Sequence, residues 1–422
     1  MDEQQIALIA IQKKLVGKKL TYEEVYAIMD EISHNRLGDI LTTYFAASGY
    51  AKGFNNEELY FLTKAMVETG ERLKFLGIVA DKHSIGGVPG TRTSLIIIPI
   101  IAAAGFTIPK SSSRAITSPD GTADDMEVLA PVEFTKDEIY RIVKRTNGCI
   151  VWGGSFHIAP ADDVLIQVER PLSFESYDKI VVSIMAKKIA FGSNHIIIDI
   201  PWGRTMKVHR REDAINMKDT FDYIAKKFGI KGRVYIHNVE EPAGRGIGPV
   251  LETKEALEVL EQTPNRPLDL EEKSLKIATE LLELCLEDSK KRSTILKEFE
   301  TPRKWAESLL VTGKALEKMK QIIKAQGGNP EITSHHLKPA DYSFSYTAPK
   351  NTTVTAMNNF NITRVTRILG APHQKKSGIF LHKKIGEKAE KLQPLYTLYS
   401  ESMYNLREAK ESIRNFPIME IC

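Results

Sequence analysis

The sequence predicts a multi-domain α/β protein, with a small all-α lobe, a large α/β lobe around a mostly parallel sheet, and a C-terminal β-rich α+β domain. Three observations lead there. The first seventy-odd residues place apolar side chains at three- and four-residue spacing. From about Leu73 short apolar runs alternate with amphipathic stretches, and from about Ile332 short alternating runs rich in Thr, Tyr, Phe, Val and Ile take over. A chain of 422 residues also exceeds what one hydrophobic core usually serves.

In the first lobe "TYEEVYAIMDEI" opens on a capping threonine, Thr21, and "LGDILTTYFAASGYA" and "NNEELYFLTKAMVETGERL" follow with helical spacing. A helix-turn-helix DNA reader is the alternative, but acids outnumber bases in these helices, which favours a solvated bundle. In the second lobe "FLGIVAD", "TIPKSSS", "CIVWGG", "HIIIDIPWG" and "GRVYIHNV" read as strands. They alternate with stretches such as "TSLIIIPIIAAAGF", "TKDEIYRIVKRTNG" and "INMKDTFDYIAKKFG", the mark of a parallel sheet covered by helices. The insertion "PLSFESYDKIVVSIMAKKIAFGS" reads as helical, with an apolar face that suits the N-terminal helices. The expected division is therefore residues 1–72 plus about 164–192 for the helical lobe, 73–163 plus 193–330 for the α/β lobe, and 331–422 for the C-terminal domain. Two crossings between lobes create a cleft.

Lys plus Arg number 58 against 54 for Asp plus Glu, a formal charge of +4, so no broad field draws the molecule to a nucleic acid polymer or a membrane. Cys149, Cys285 and Cys422 are odd in number, far apart and without metal-ligand spacing, which suits a reducing cytoplasm and no zinc site. The opening "MDEQQIALIAIQKKL" is charged and amphipathic, unlike a signal peptide, and no run approaches a membrane span. A cytoplasmic protein is expected. His335 and His336 in "SHHLKP" read as polar surface, because no third metal ligand accompanies them.

Chemistry concentrates in two loops. "DKHSIGGVPGTRTS" follows a strand and opens a helix, where free N–H groups and the helix dipole favour an anion. Gly86, Gly87 and Gly90 let the backbone approach, Lys82 supplies charge, and Ser84 and Ser94 supply hydroxyls. Neither a Walker A loop nor a GxGxxG fingerprint is present there; "GRGIGP" imitates one but reads as a structural turn near the cleft. "PKSSSRAITSPDGTADDME" adds Ser112, Ser113, Thr117, Ser118 and Thr122 beside Arg114. Two such loops suit two anionic groups, or an anion and a sugar. In "SIMAKK" Ser183 and Lys187 are four residues apart on one helical face, with Glu175 two turns back. The plainer reading makes Lys187 and Lys188 solvated helix charges.

In that order "DKHSIGGVPG", "SSRAITSPDGTAD", "VWGG…APADD", "SIMAKK", "DIPWG" and "GRGIGP" resemble the thymidine phosphorylase and AMP phosphorylase family, most closely its AMP phosphorylase branch. The resemblance runs from near residue 5 to the end. Members of that branch carry a further N-terminal domain, and this sequence starts where it would end, which implies a shorter member or a chain cut there. The resemblance implies reversible phosphorolysis of an N-glycosidic bond, in which phosphate displaces the base from C1′. No cofactor or metal is implied, and a homodimer is. Lys82, Ser84, Ser94, Ser112 and Thr122 match the attacking-phosphate site. Gly87, the run Ser113, Arg114, Ala115, Ile116, Thr117 and Ser118, then Thr122, Ser183 and Lys207 match nucleotide-binding positions. Ser183 and Lys187 match the base-contacting pair of the thymidine enzymes, and His83 their histidine beside the base. Glu175 falls where the AMP enzymes have an aspartate as proton donor, with Asp178 close by. The arginine with which the thymidine enzymes grip the base falls near Val168 and Arg170. Expected substrates are therefore a nucleoside monophosphate, AMP first, and phosphate. The alternatives are a thymidine or pyrimidine-nucleoside phosphorylase, an anthranilate phosphoribosyltransferase-like enzyme using magnesium at "DDME", and a non-catalytic nucleotide sensor.

Overall fold

Four helices begin the chain: α1 (Glu3–Leu15), α2 (Tyr22–Ser33), α3 (Gly38–Lys52) and α4 (Asn56–Glu68). The computed structural model describes residues 2–116, 118–155, 157–169 and 176–422. Thr21 and Asn55 each close a capping box, with Glu24 and Glu58, so the polar signals in the sequence fix two helix starts. Glu58 does more. It also takes the ammonium of Lys14 at 2.8 Å and the N–H of Leu20 at 3.1 Å, which ties α1 to α4 inside the bundle.

The second lobe runs β1 (Ala80–Ser84), α5 (Ser94–Ala103), β2 (Ile108–Ser112), α6 (Thr122–Met126), α7 (Lys136–Thr146) and β3 (Gly148–Trp152). Then α8 (Pro160–Glu169) and α9 (Tyr177–Ala190) leave the sheet and pack on α2, α3 and α4. The chain returns as β4 (His195–Trp202), α10 (Arg211–Lys227) and β5 (Lys231–Asn238). β1, β4 and β5 pair in parallel, as do β2 and β3. A parallel bridge from Val79 to Thr107 joins the two groups, giving the order β3-β2-β1-β4-β5. In "FLGIVAD" the residues ahead of Val79 are connection instead of strand, whereas "TIPKSSS" pairs from Thr107 onward. After β6 (Gly246–Ile247), helices α11 (Pro249–Leu260), α12 (Leu268–Glu287), α13 (Arg292–Phe299), α14 (Pro302–Val311) and α15 (Lys314–Ala325) follow. Of these α11, α12, α14 and α15 join α5 in one apolar core on one side of the sheet, while the bundle's core continues through α7 and α10 on the other.

The last domain comprises β7 (Tyr342–Thr347), β8 (Thr352–Met357), α16 (Asn359–Ile368), β9 (Gly378–Leu381), β10 (Lys388–Ala389), β11 (Pro394–Ser400), α17 (Met403–Ser412) and β12 (Met419–Ile421). Two antiparallel sheets, β6-β9-β11-β7 and β10-β8-β12, enclose its core. Two features differ from expectation. "NITRVTRIL" forms a helix, because Ile362, Val365, Thr366 and Leu369 fall on one buried face and Asn358 caps it. "GRGIGP" lends β6 to the C-terminal sheet, so that turn staples one domain to the next. No helix among the described residues is long and apolar enough to cross a membrane.

Candidate active site at the carboxyl ends of the strands

All five strands of the parallel sheet point their carboxyl ends at one edge, and the bundle faces that edge across a cavity of about 580 Å³. Phe45, Phe54, Leu62 and Met66 line its bundle side. β1 delivers Lys82, His83 and Ser84 to the sheet side, β2 delivers Lys110 to Ser112, and α9 delivers Ser183 and Lys187 from across the cleft.

Lys82 is 3% exposed, and its Nζ donates to Thr93 Oγ1 at 2.9 Å and to Ser94 Oγ at 3.5 Å, at the start of α5. Burial pushes its ammonium down to about 8, with nearby Asp199 acting in the opposite sense. Lys188, at 1% exposure, is no solvated charge: it reaches back from α9 to Asp81 Oδ2 at 2.8 Å. Lys110 also lies 3.8 Å from Asp81. Burial, and then the neighbouring Lys188, hold Lys110 well below the usual lysine range. His83 is half-buried, and desolvation of its ring, then the charges of Lys110, Lys188 and Lys82, hold it well below the usual histidine range and so neutral; its Nδ1 has no hydrogen-bond partner among the described residues. Lysine ammoniums thus crowd the strand ends around few carboxylates. Such a site attracts an anion, which supplies the charge that Asp81 and Asp199 do not.

The glycines divide their work. Gly87 has φ +86°, and a Cβ there would lie 3.0 Å from Lys207 Cβ and 3.1 Å from its N, so the loop after β1 closes onto the loop after β4. Gly90, expected to cradle a ligand, instead donates its N–H to Glu252 Oε1 at 3.1 Å and abuts the carbonyl of Gly246. Its role is packing against the β6 turn.

On the opposite wall Asp162 accepts Ser183 Oγ at 2.7 Å and Lys187 Nζ at 2.7 Å, and Asp163 lies 3.6 Å from that ammonium. The expected face of Ser183 and Lys187 is therefore one unit held by α8. Burial lowers the Lys187 pKa, but Asp162 and Asp163 more than offset it, so the ammonium stays charged. Sequence reasoning assigned Asp162 no role, and the acid pair inside "APADD" was the available signal. Glu175 and Thr117 lie outside the described residues, as does Arg170. Asp178 is described, half-buried at the start of α9, with its carboxyl pushed up by burial.

The second loop needs one correction. Arg114 lines the cavity, but its guanidinium forms a fork with Glu127 at 2.8 and 2.9 Å, takes Glu133 at 2.9 Å, and lies 5.0 Å over the Trp152 ring. Its charge is committed to the protein. Ala115 and Gly121 both donate N–H to Asp124 Oδ2 at 2.8 Å, closing the loop into an arch. Ser112, Ser113, Ile116, Ser118 and Thr122 line the cavity beside it. Behind the arch Arg92 sits among three buried acids: Nη2 meets Asp120 Oδ1 at 2.5 Å, and Nε lies 2.6 Å from both Glu252 Oε2 and Asp125 Oδ2. The single Nε hydrogen goes to Glu252, so Asp125 is paired by charge alone and both its oxygens lack a hydrogen bond. Asp120, Asp125 and Glu252 are close enough to hold a cation, but Arg92 already brings positive charge there. The acids of "DDME" are shared out among Arg92, Arg114 and Lys375, and do not converge on one point.

Lys82 makes the site pH-sensitive. An ammonium with a pKa near 8 attracts an anion below that pH and loses its charge above it. Affinity for an anion at the strand ends is expected to fall as pH rises through about 8, and binding of inorganic phosphate that stays flat to pH 10 would contradict this.

Comparison with known proteins adds the following. Residues 76–316 match the family model "Glycosyl transferase family, a/b domain", residues 9–70 its helical bundle domain, and residues 353–417 the pyrimidine nucleoside phosphorylase C-terminal domain. The chain is 42% identical over 410 residues to an AMP phosphorylase of Thermofilum pendens, covering 97% of this chain and 77% of that protein. It is 40% identical, at the same coverages, to a Legionella pneumophila (strain Paris) protein named "Putative thymidine phosphorylase". In three dimensions it is similar to anthranilate phosphoribosyltransferase from Thermus thermophilus, with a TM-score of 0.61 at 16% identity, over 75% of this chain and 99% of that one. At that identity the likeness speaks to fold alone.

Proposed function

The chain belongs to the glycosyl transferase family that pairs this helical bundle with this a/b domain, and from that membership we propose that it is a phosphorylase of nucleoside monophosphates. In the proposed reaction an oxygen of inorganic phosphate attacks C1′, the C1′–N bond breaks, and the base departs with a proton. AMP would give adenine and ribose 1,5-bisphosphate. The observation that carries this reading is the buried lysine group at the strand ends, with Lys82 bonded to Thr93 and Ser94. Lys82 and the Ser94 hydroxyl hold the attacking phosphate beneath the sugar. The charged Lys187 faces the departing base from across the cleft and the neutral His83 from the sheet side beside Lys82, so the reactants are oriented before the bond breaks. Relatives named AMP phosphorylase favour AMP.

A second reading, thymidine or another pyrimidine nucleoside as substrate, draws on the C-terminal family match and on the Legionella relative. We read the protein as cytoplasmic and as needing no cofactor. It is read as a homodimer, which the exposed Ile9, Val16, Ile40 and Tyr44 on the outer face of the bundle support. The test incubates the protein with phosphate and, separately, AMP, CMP, UMP, thymidine and uridine, and follows free base by chromatography. Phosphate-dependent adenine release supports the proposal; thymine or uracil from nucleosides alone moves it to the second reading. No base from any of the five overturns both.

A further inference from the structure

Among the described residues, two side chains of the C-terminal domain, Lys375 and Arg367, reach the second loop of the candidate site. Lys375 stands at the root of the second loop, with Nζ 2.8 Å from Glu127 Oε2 and 3.4 Å from Asp124 Oδ1. Arg367, in the last turn of α16, reaches the tip: its Nη2 donates to the carbonyl of Ile116 at 2.7 Å and to that of Ser118 at 2.8 Å. Ile116 and Ser118 both line the cavity. The remaining anchors of the loop lie elsewhere. Ala115 and Gly121 are drawn together on Asp124, and Asp120 is held from behind by Arg92. Those contacts close the base of the arch, whereas the carbonyls on either side of position 117 take the arginine of another domain.

We propose that Arg367 is a positioning residue, by which the C-terminal domain fixes the tip of the nucleotide loop and so sets affinity for the nucleotide without touching the reacting atoms. The inference rests on the phosphorolysis reading for the identity of the ligand, though the contact itself does not. An arginine spanning two carbonyls holds two peptide units in one orientation, and removing it lets each turn to water. Phosphate is expected to bind at Lys82 and Ser94, which Arg367 does not contact, so the two substrates should respond differently.

The test compares the full chain with Arg367→Ala, Arg367→Lys and the control Arg364→Ala, which removes another α16 arginine, one lying 4.4 Å over the Phe416 ring within its own domain. For Arg367→Ala the KM for AMP is expected to rise roughly five- to tenfold, with the KM for phosphate within about twofold. Amide hydrogen exchange should quicken in the peptide covering residues 113–121. Arg367→Lys, which keeps a donor and the charge, should recover part of both effects, and Arg364→Ala should show neither. Wild-type KM and wild-type exchange in Arg367→Ala would overturn the proposal. So would equal rises in both KM values shared with Arg364→Ala, since that pattern reports general loosening of the domain. Wild-type protein without turnover would strike the phosphorylase reading alone, and the exchange comparison would still decide the role of Arg367.

Discussion

Lys82→Met is expected to lower kcat/KM for phosphate by about 10- to 150-fold, the kinetic equivalent of losing a charged hydrogen bond worth roughly 1.5–3 kcal/mol. The thermal midpoint should hold or rise. The two outcomes separate because the ammonium is buried with hydroxyls as its hydrogen-bond partners, and burial has lowered its pKa to about 8. A group in that state adds little to folding, whereas methionine fills similar volume without a desolvated charge. Steady-state phosphate saturation and a melting curve on the same preparation check both halves. Unchanged phosphate saturation would remove Lys82 from the anion site, and a large fall in the midpoint would make it a structural lysine.

Arg92→Met should behave in the opposite way. Arg92 is buried among Asp120, Asp125 and Glu252, and without it three carboxylates share a dry pocket. Breaking a buried ion group by removing one partner destabilises by about 3–5 kcal/mol, which is the loss expected here. The pH dependence has a definite sign. Burial, with the neighbouring acids adding to it, raises the folded-state pKa of Asp120; burial likewise raises that of Asp125, further pushed by Glu252 and Asp124, although Arg92 opposes both shifts. Groups raised on folding add stability below their unfolded pKa and lose it as pH rises through the folded one. Without Arg92 the rise is larger, so the gap between variant and wild type should be wider at pH 8 than at pH 5. Urea unfolding at the two pH values measures it. An equal gap at both would mean that the three acids are ionised to the same extent in the two proteins. Because Arg92 joins the loop after β1 to both the loop after β2 and α11, loss of activity is expected alongside.

The sequence carried the local part of this site openly. "DKHSIGGVPGTRTS" and "PKSSSRAITSPDGTADDME" each keep their strand, loop and helix start within a few residues, so position along the chain was enough to place Lys82, Ser94 and Thr122 at the cavity. What was not legible depended on partners far away. Lys188 looks like a surface lysine until α9 is laid against Asp81, 107 residues earlier in the chain. Asp162 gains meaning only when α8 brings it to Ser183 and Lys187. Arg114 promised charge for a phosphate, yet Glu127 and Glu133 had first claim on it. In the C-terminal domain β-branched residues drew "NITRVTRIL" toward strand, although their four-residue spacing and the Asn358 cap favour the helix that carries Arg367.

The central claim is that inorganic phosphate docks at the carboxyl ends of the strands, beside Lys82. A crystal structure of the protein grown with millimolar phosphate tests it most directly. The account predicts a phosphate within hydrogen-bond reach of Lys82 Nζ and the Ser94 hydroxyl, facing Ser183 and Lys187 across the cavity. Phosphate bound only at other places, or a Lys82 turned wholly onto protein partners with no phosphate beside it, would contradict the account.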